Sequence, residues 1–219
     1  MQLKNMTLAQ LKGLEQHIPS IRGLVGLPLV ESYEEFLEVL YSDLDCCNKL
    51  LVEHRQALQN DNEDRLSIQI VTSLKFKGYI AEHDTQHGGH VDIFVKHNQF
   101  TWIGEAKIHG TYDYLMEGFL QLTTRYSAGV YNETSGGLFI YIRNKDAKAV
   151  VDAWKEHLSC AFADKIEFID CTYNPDCFYS SIRHSVSGKQ YSIRHMPVAL
   201  HFEPQDKSAR TAKSKLPKD

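Results

Sequence analysis

Apolar residues recur at helical spacing through the first third of the chain, so this part is predicted to be helical. A short amphipathic helix is predicted over residues 6–17, followed by a connector rich in proline and glycine. A long helix is predicted over 32–59, where Ser32 and Glu35 match the spacing of a capping box. A third helix is predicted over 63–77.

Short apolar runs bounded by turn residues follow, and they are predicted to be strands. The run over 137–143 is apolar almost throughout, which is typical of a strand buried on both faces. This alternation predicts an α/β fold with a central mixed β-sheet flanked by helices. Strands are predicted over 79–82, 90–96, 100–106, 137–143 and 165–171, helices over 111–128 and 146–158, and a β-hairpin around Ser187-Gly188.

The same patterns divide the chain into four parts. They are an N-terminal helical extension (1–60), a core (61–171), a C-terminal β extension (172–204) and a basic tail (205–219) that is predicted to be disordered. The long N-terminal helix carries acidic residues opposite its apolar stripe, so it is a poor surface for DNA and a candidate for packing, dimerisation or docking of a partner protein. These acids are Glu31, Glu34, Glu35, Glu38, Asp43 and Asp45.

Composition narrows the class of protein. The 219-residue chain has a formal net charge of −4, which argues against a protein that coats nucleic acid without specificity. Five cysteines, an odd number, favour a reducing compartment. The first residues lack the apolar core of a signal peptide, and no apolar run is long enough to cross a bilayer. We therefore expect a cytoplasmic protein without membrane contacts.

The candidate chemistry is concentrated in Asp92, Glu105 and Lys107, within the run GGHVDIFVKHNQFTWIGEAKI. Period-two spacing puts Glu105 and Lys107 on one face of a strand, and pairing of the two apolar runs would bring Asp92 to them. Carboxylates grouped in this way suit Mg²⁺, and the ammonium suits a phosphate oxygen or an attacking water. The alternative is a surface hairpin with solvated charges.

This pattern resembles the PD-(D/E)xK nuclease superfamily, which has the restriction-endonuclease-like fold. The family's proline-acid pair reads Val91-Asp92 here, and the acid-x-lysine motif is intact as Glu105-Ala106-Lys107. The resemblance covers residues 63–158. It implies a core made of a helix, a three-stranded antiparallel stretch that carries the motif, and then a helix, a strand and a helix.

The resemblance also implies a metal site. Asp92, Glu105 and the carbonyl of Ala106 would bind Mg²⁺, for which Mn²⁺ can substitute, and Lys107 would orient or help to deprotonate the attacking water. Many members carry a third acid on the first core helix, a position that Glu63 matches. A first-turn glutamate is equally favoured by the helix dipole alone.

Two further positions complete this expected site. Glu82, at the end of the strand before the motif, is the alternative to Glu63 as third acid. Gln121 lies on the helix after the lysine, where several nuclease subfamilies present a glutamine to the site. A polar helix face is otherwise usually only solvated.

The resemblance implies a metal-dependent deoxyribonuclease, expected to be an endonuclease, with a role in restriction or anti-phage defence by analogy. DNA is favoured over RNA because members of this fold mostly cut DNA. A homodimer would let two sites cut both strands. The alternative is a catalytically inactive protein of the same fold that acts as a DNA-binding or protein-interaction scaffold.

Other polar residues have weaker interpretations. His87 and His90 flank two glycines before Asp92, and a hydrogen-bonding structural role is favoured for them over catalysis. A zinc site drawn from Cys171, Cys177, His184 and His195 fits no standard paired-cysteine spacing, so buried thiols are favoured. In the C-terminal extension, the basic residues expected to reach DNA are Arg183, Lys189 and Arg194.

Overall fold

The computed structural model describes residues 5–15, 17–18, 21, 23 and 25–206. The predicted disordered tail therefore lies almost wholly outside the described residues. The helices are α1 (Leu8–Leu14), α2 (Tyr33–Glu53), α3 (Arg55–Leu58), α4 (Glu63–Phe76), α5 (Tyr112–Leu120) and α6 (Ala147–Phe162). The strands are β1 (Ile80–Glu82), β2 (Thr85–Gln86), β3 (His90–Val91), β4 (Ile93–His97), β5 (Phe100–Ile108), β6 (Ser135–Ile142), β7 (Ile166–Asp170), β8 (Phe178–Arg183) and β9 (Gln190–Ala199).

Seven of these strands form one mixed sheet in the order β1-β4-β5-β6-β9-β8-β7. The pairs β5–β6 and β6–β9 are parallel and the other four are antiparallel. The prediction of an α/β fold with a central mixed sheet flanked by helices is thus confirmed. The predicted C-terminal hairpin is present as β8 and β9, but it does not extend from the core. β9 lies between β6 and β8 and completes the sheet.

Helices cover both faces of the sheet. Apolar residues of α2 and α4 pack on one face in a cluster with Trp102, Ala106 and Phe139. Those of α5 and α6 pack on the other face with Ile103, Leu138 and Ile140. Every residue of β6 is buried, as expected for a central strand covered on both sides.

The two largest differences between predicted and observed helices lie at their C-terminal ends. The helix predicted over 32–59 has the expected Ser32–Glu35 capping box, but α2 ends at Glu53 and α3 follows as a separate turn. The helix predicted over 111–128 ends at Leu120 and continues as a π-helical turn, Gln121–Tyr126. Thr123 and Thr124 donate their hydroxyls to the carbonyls of Phe119 and Leu120, where the helical ladder changes register.

The acidic face predicted for α2 is only partly exposed. Asp43 is buried and accepts hydrogen bonds from Lys77 Nζ at 2.6 Å and from Tyr79 Oη at 2.9 Å. Asp45 accepts from Arg194 Nη2 at 2.8 Å. These two acids therefore bind α2 to the core, because their positions lie near the apolar stripe rather than opposite it. Among the described helices, none has the length and apolar character to cross a membrane.

Candidate active site

Asp92 lies at a break in the strand predicted over 90–96. The chain changes partner there, since β3 pairs with β2 whereas β4 pairs with β5. The carbonyl oxygen of Asp92 accepts a hydrogen bond from His83 Nδ1 at 2.7 Å, so a side chain satisfies the group that the ladder leaves unpaired. Extending the β4–β5 register by one residue beyond Ile93↔Gly104 puts Asp92 opposite Glu105.

Glu105 and Lys107 project from β5 on the face covered by α5, opposite the face that buries Ala106. Glu105 is 1% exposed and Lys107 is 8% exposed. Lys107 Nζ donates to Glu105 Oε1 at 2.5 Å. Gly118 of α5 leaves room for the lysine, because a Cβ there would lie 3.0 Å from Lys107 Cγ. The lysine stem is therefore confined between β5 and α5.

β5 continues past the start of β4, and two carboxylates cap its free edge. Asp92 Oδ2 accepts from the backbone N–H of Ala106 at 2.8 Å, and Glu63 Oε2 accepts from that of Ile108 at 2.8 Å. Alternate N–H groups of a strand point to the same edge, which is why both acids reach this one. The geometry brings Glu63, Asp92, Glu105 and Lys107 to the same end of β5.

Burial and mutual repulsion perturb these acids. Burial, together with the charge of Asp92, raises the pKa of Glu105 to about 8. Burial also raises the pKa of Asp92, against the hydrogen bond from Ala106 and the charge of Lys107. Burial alone would lower the pKa of Lys107, but Glu105 and Asp92 outweigh it and the pKa is raised. Lys107 is therefore an ammonium at neutral pH. Asp92 and Glu105 hold protons more tightly than ordinary carboxyl groups do, and a bound cation would displace these protons.

The donor set fits a hard divalent cation. Glu105 Oε2 is buried without a hydrogen-bond partner, a costly arrangement that a cation would relieve. Within the described part of the chain, no three His, Cys, Asp or Glu side chains are already arranged as metal ligands. The carboxylates are occupied by other partners instead. Asp92 and Glu63 accept backbone hydrogen bonds, and Glu105 binds Lys107. Glu105 Oε2 is the oxygen open to an ion, because Lys107 occupies Oε1.

Tyr114 is part of the site and was not predicted from the sequence. Its hydroxyl donates to Glu63 Oε1 at 2.8 Å, so both oxygens of Glu63 are held. Lys107 Nζ lies 5.3 Å from the centre of the Tyr114 ring, a cation–π contact. The signal available in the sequence was only its place in the first turn of the helix after the motif lysine.

Gln121 lies beside the site without contacting the acids directly. Its Nε2 donates to the hydroxyl of Tyr126 at 3.2 Å, and its Oε1 is buried without a partner. Burial raises the pKa of Tyr126, and the charges of Glu105 and Asp92 raise it further, which places this ring within their electrostatic reach. Tyr126 is thus the link between Gln121 and the carboxylates.

The other candidate residues have contacts elsewhere. Glu82 accepts a hydrogen bond from the hydroxyl of Thr85 at 2.9 Å. His87 interacts with Glu133 at 3.3 Å, and the exposed His90 with Asp84 at 2.8 Å. These contacts agree with the structural roles favoured for the histidines.

The expectation that Arg194 reaches DNA is wrong, whereas the buried thiols favoured at Cys171 and Cys177 are confirmed. Arg194 is 1% exposed and cannot reach DNA, because it forms a buried ion pair with Asp45. His195 packs against Phe178 on the face that carries α5 and α6, whereas Cys171 and Cys177 belong to the cluster on the opposite face. The sheet separates these residues, so they do not form a zinc site.

No protein-family model, no curated protein and no solved structure matches the chain. The site is therefore interpreted from its own geometry and chemistry.

Proposed function

We propose that this chain is a metal-dependent nuclease that hydrolyses phosphodiester bonds of DNA, most simply as an endonuclease. The observation that carries the proposal is the Glu105–Lys107 pair beside Asp92, with Glu105 Oε2 buried and unpaired. A buried carboxylate oxygen that lacks a partner, next to a second acid, is costly for the fold. Such an arrangement is typical of a functional site.

Asp92 and Glu105 would hold the metal ion, with Glu63 completing the shell directly or through water. All their donors are oxygens, which favours Mg²⁺, with Mn²⁺ as substitute. When bound, the ion stabilises charge on the scissile phosphate and lowers the pKa of a coordinated water.

The chain's own residues position the reacting groups. Lys107 is confined by Gly118 and Tyr114, so its ammonium has little freedom of movement beside Glu105. Its raised pKa favours a role as a positive hydrogen-bond donor to a phosphate oxygen or water over a role as base. The hydrogen bonds from Ile108 and Tyr114 hold Glu63 at the edge of the site.

The order of elements supports a PD-(D/E)xK assignment and the restriction-endonuclease-like fold. α4 is followed by the antiparallel set β1, β4 and β5, and then by α5, β6 and α6. This is the succession implied by the resemblance. A DNA substrate and a role in restriction or anti-phage defence rest on that resemblance. A cytoplasmic location rests on the cysteine content and the lack of a signal-peptide pattern in the sequence.

The exposed acids of α2 define a candidate surface for a second copy or a partner protein. Glu34, Glu35 and Glu38 stay outside the contacts that bind this helix to the core, although Glu35 also closes the capping box. Their negative charge disfavours DNA on this side of the molecule. A homodimer or a docked protein is thus proposed for α2, and DNA for the opposite face, where Lys107 lies.

An inactive scaffold of the same fold is the second candidate. One observation favours it: backbone and lysine contacts hold the acids of the site. In the part of the chain that is described, these acids are not arranged as ligands of a metal ion. The two candidates differ in one measurable respect, since only the nuclease cuts DNA with a divalent ion.

Incubation of the purified protein with circular and linear DNA, with Mg²⁺ or Mn²⁺, tests the proposal. We expect nicking or linearisation of the circle, and a loss of at least about 100-fold in rate for Lys107→Ala. Lys96→Ala, at an exposed lysine of β4, is the matched control and is expected to cut at the parent rate. Equal cutting by the parent and Lys107→Ala would disprove the assignment.

A further inference from the structure

Two cysteines lie opposite each other at the mouth of the β7–β8 hairpin. The ladder runs from Ile166↔Ile182 to Asp170↔Phe178, and one further step along the same register pairs Cys171 with Cys177. Both cysteines are buried in the cluster on the α2 face, so their side chains point to the same side. Opposed residues of antiparallel strands have Cα atoms about 4.5–5.5 Å apart, within the range of about 4.4–6.8 Å that a disulfide spans.

The loop between the two cysteines is held in place by hydrogen bonds. The backbone N–H of Cys177 donates to the carbonyl of Asn174 at 3.0 Å, and that of Asp176 donates to Asn174 Oδ1 at 3.1 Å. Asn174 Nδ2 in turn donates to Asp45 Oδ1 of α2 at 2.9 Å. The loop is therefore fixed to the helix, and the two thiols remain in register in the folded chain.

A buried cation lies against one of the two sulfurs. Arg194 Nη2 lies 3.5 Å from Cys171 Sγ and 2.8 Å from Asp45 Oδ2. Burial would raise the pKa of the Cys171 thiol, but backbone hydrogen bonds from Asn174 and Tyr173, together with Arg194, lower it overall. Burial raises the pKa of Cys177 to about 12. The pair thus combines one thiol that ionises more readily than usual with one that stays protonated.

We propose that Cys171 and Cys177 are a redox-active pair that closes to a reversible disulfide across the hairpin mouth when a hydroperoxide is present. The Cys171 thiolate attacks one peroxide oxygen, the O–O bond breaks, and a sulfenic acid forms as hydroxide leaves and takes up a proton. The Cys177 sulfur then displaces the sulfenyl oxygen: the S–S bond forms, the S–O bond breaks, and the Cys177 proton leaves with hydroxide as water. Two thiols lose two electrons in all, and hydrogen peroxide becomes two waters.

This chemistry is independent of the proposed nuclease activity. The cysteines belong to the cluster on the α2 face, whereas Glu105 and Lys107 project from the opposite face of the sheet. The remaining cysteines provide internal comparisons, since Cys46 and Cys160 are exposed.

Tryptic mapping of the intact chain tests the proposal directly. Trypsin releases residues 166–183 as one peptide that contains both cysteines, and places Cys160 and the Cys46-Cys47 pair in other peptides. After treatment with hydrogen peroxide and alkylation in urea, we expect the 166–183 peptide to be two hydrogen masses lighter and unalkylated. Dithiothreitol is expected to restore both alkylation sites. A disulfide to a different peptide, or two alkylatable thiols after treatment, would overturn the proposal.

Equilibration in a glutathione redox buffer measures how far the fold, beyond the short sequence separation of the two cysteines, favours the disulfide. We expect the equilibrium constant for disulfide formation to be at least about tenfold higher in the folded chain than in urea, because the register holds the sulfurs together. Equal constants would overturn the proposal. In Cys177→Ser, peroxide is expected to leave a sulfenic acid on Cys171 that dimedone traps. The assigned order, in which Cys171 is oxidised first, would be overturned by the opposite result. That result is dimedone trapping on Cys177 in Cys171→Ser and no trapping on Cys171 in Cys177→Ser.

Discussion

Asp92 lies one register position beyond the last pair of β4 and β5, opposite Glu105. The strand ends there because the backbone of Asp92 bonds to His83, while its carboxylate takes the N–H of Ala106 on the neighbouring strand. Because the strand is interrupted at Asp92, this residue places its carboxylate in the site instead of continuing the strand pairing. The carboxylates of Asp92 and Glu105 lie close enough for the charge of Asp92 to raise the pKa of Glu105. Burial is the largest cause of that shift, and Asp92 is the second.

The buried acid makes the stability of the metal-free protein depend on pH. The pKa of Glu105 is about 8 in the folded chain, against an ordinary value of 4.5, so the folded state binds the proton more tightly than the unfolded state. The stabilisation is complete below pH 4.5 and is lost as pH rises through about 8. The free energy of unfolding should fall by up to about 1.4 kcal/mol per pH unit in this window, relative to Glu105→Gln.

Chemical denaturation of both proteins in chelator, from pH 5 to pH 9, measures this difference. Parallel curves for the parent and Glu105→Gln would show that Glu105 ionises normally in the folded chain.

The close approach of Gly118 to Lys107 gives a second prediction. A Cβ at Gly118 would lie 3.0 Å from Lys107 Cγ and 3.2 Å from Leu138 Cδ1, so the lysine must shift. We expect Gly118→Ala to lower DNA cleavage about tenfold, with a stability loss of about 1 kcal/mol because the gain in helix propensity offsets part of the clash. Gly110→Ala is the control, since a Cβ there meets nothing within 4 Å. Equal cleavage by the two variants would contradict a confined lysine.

The hydroxyl of Tyr114 should matter for activity more than for stability. It donates to Glu63 Oε1 at 2.8 Å, and its residue is 37% exposed. We expect Tyr114→Phe to reduce cleavage about three- to tenfold and the free energy of unfolding by less than about 1 kcal/mol. Tyr131→Phe removes a hydroxyl from a residue that is 83% exposed and is expected to change neither quantity. A cleavage rate unchanged in Tyr114→Phe would show that Glu63 needs no support from this hydroxyl.

The sequence predicted what local patterns determine. Period-two spacing and the short turn between two neighbouring strands were sufficient to bring Glu105 and Lys107 to one face and Asp92 to their side. The capping box at Ser32 and the doubly buried strand β6 were likewise visible in residue types alone. Each of these features depends on residues that are near in sequence or directly paired.

Long-range packing determined what the sequence could not predict. Tyr114 and Glu63 are 51 residues apart and meet only because α4 and α5, on opposite faces of the sheet, both pack against β5. β9 enters the middle of the sheet through parallel pairing with β6, which leaves no turn signal in the sequence. Arg194 has the appearance of a surface cation, but its partner Asp45 lies 149 residues away. Such contacts are set by the register of distant strands and helices.

Calorimetric titration with Mn²⁺ and Mg²⁺ tests most directly whether the acids hold a divalent ion. Glu105→Gln keeps the size of the side chain and removes the charge, and Glu82→Gln is the control at an acid outside the site. We predict saturable binding to the parent and Glu82→Gln, tighter at pH 8.5 than at pH 6.5 because Glu105 must lose its proton, and at least about tenfold weaker binding to Glu105→Gln. Equal affinities in all three proteins, or no binding to the parent at either pH, would contradict the account.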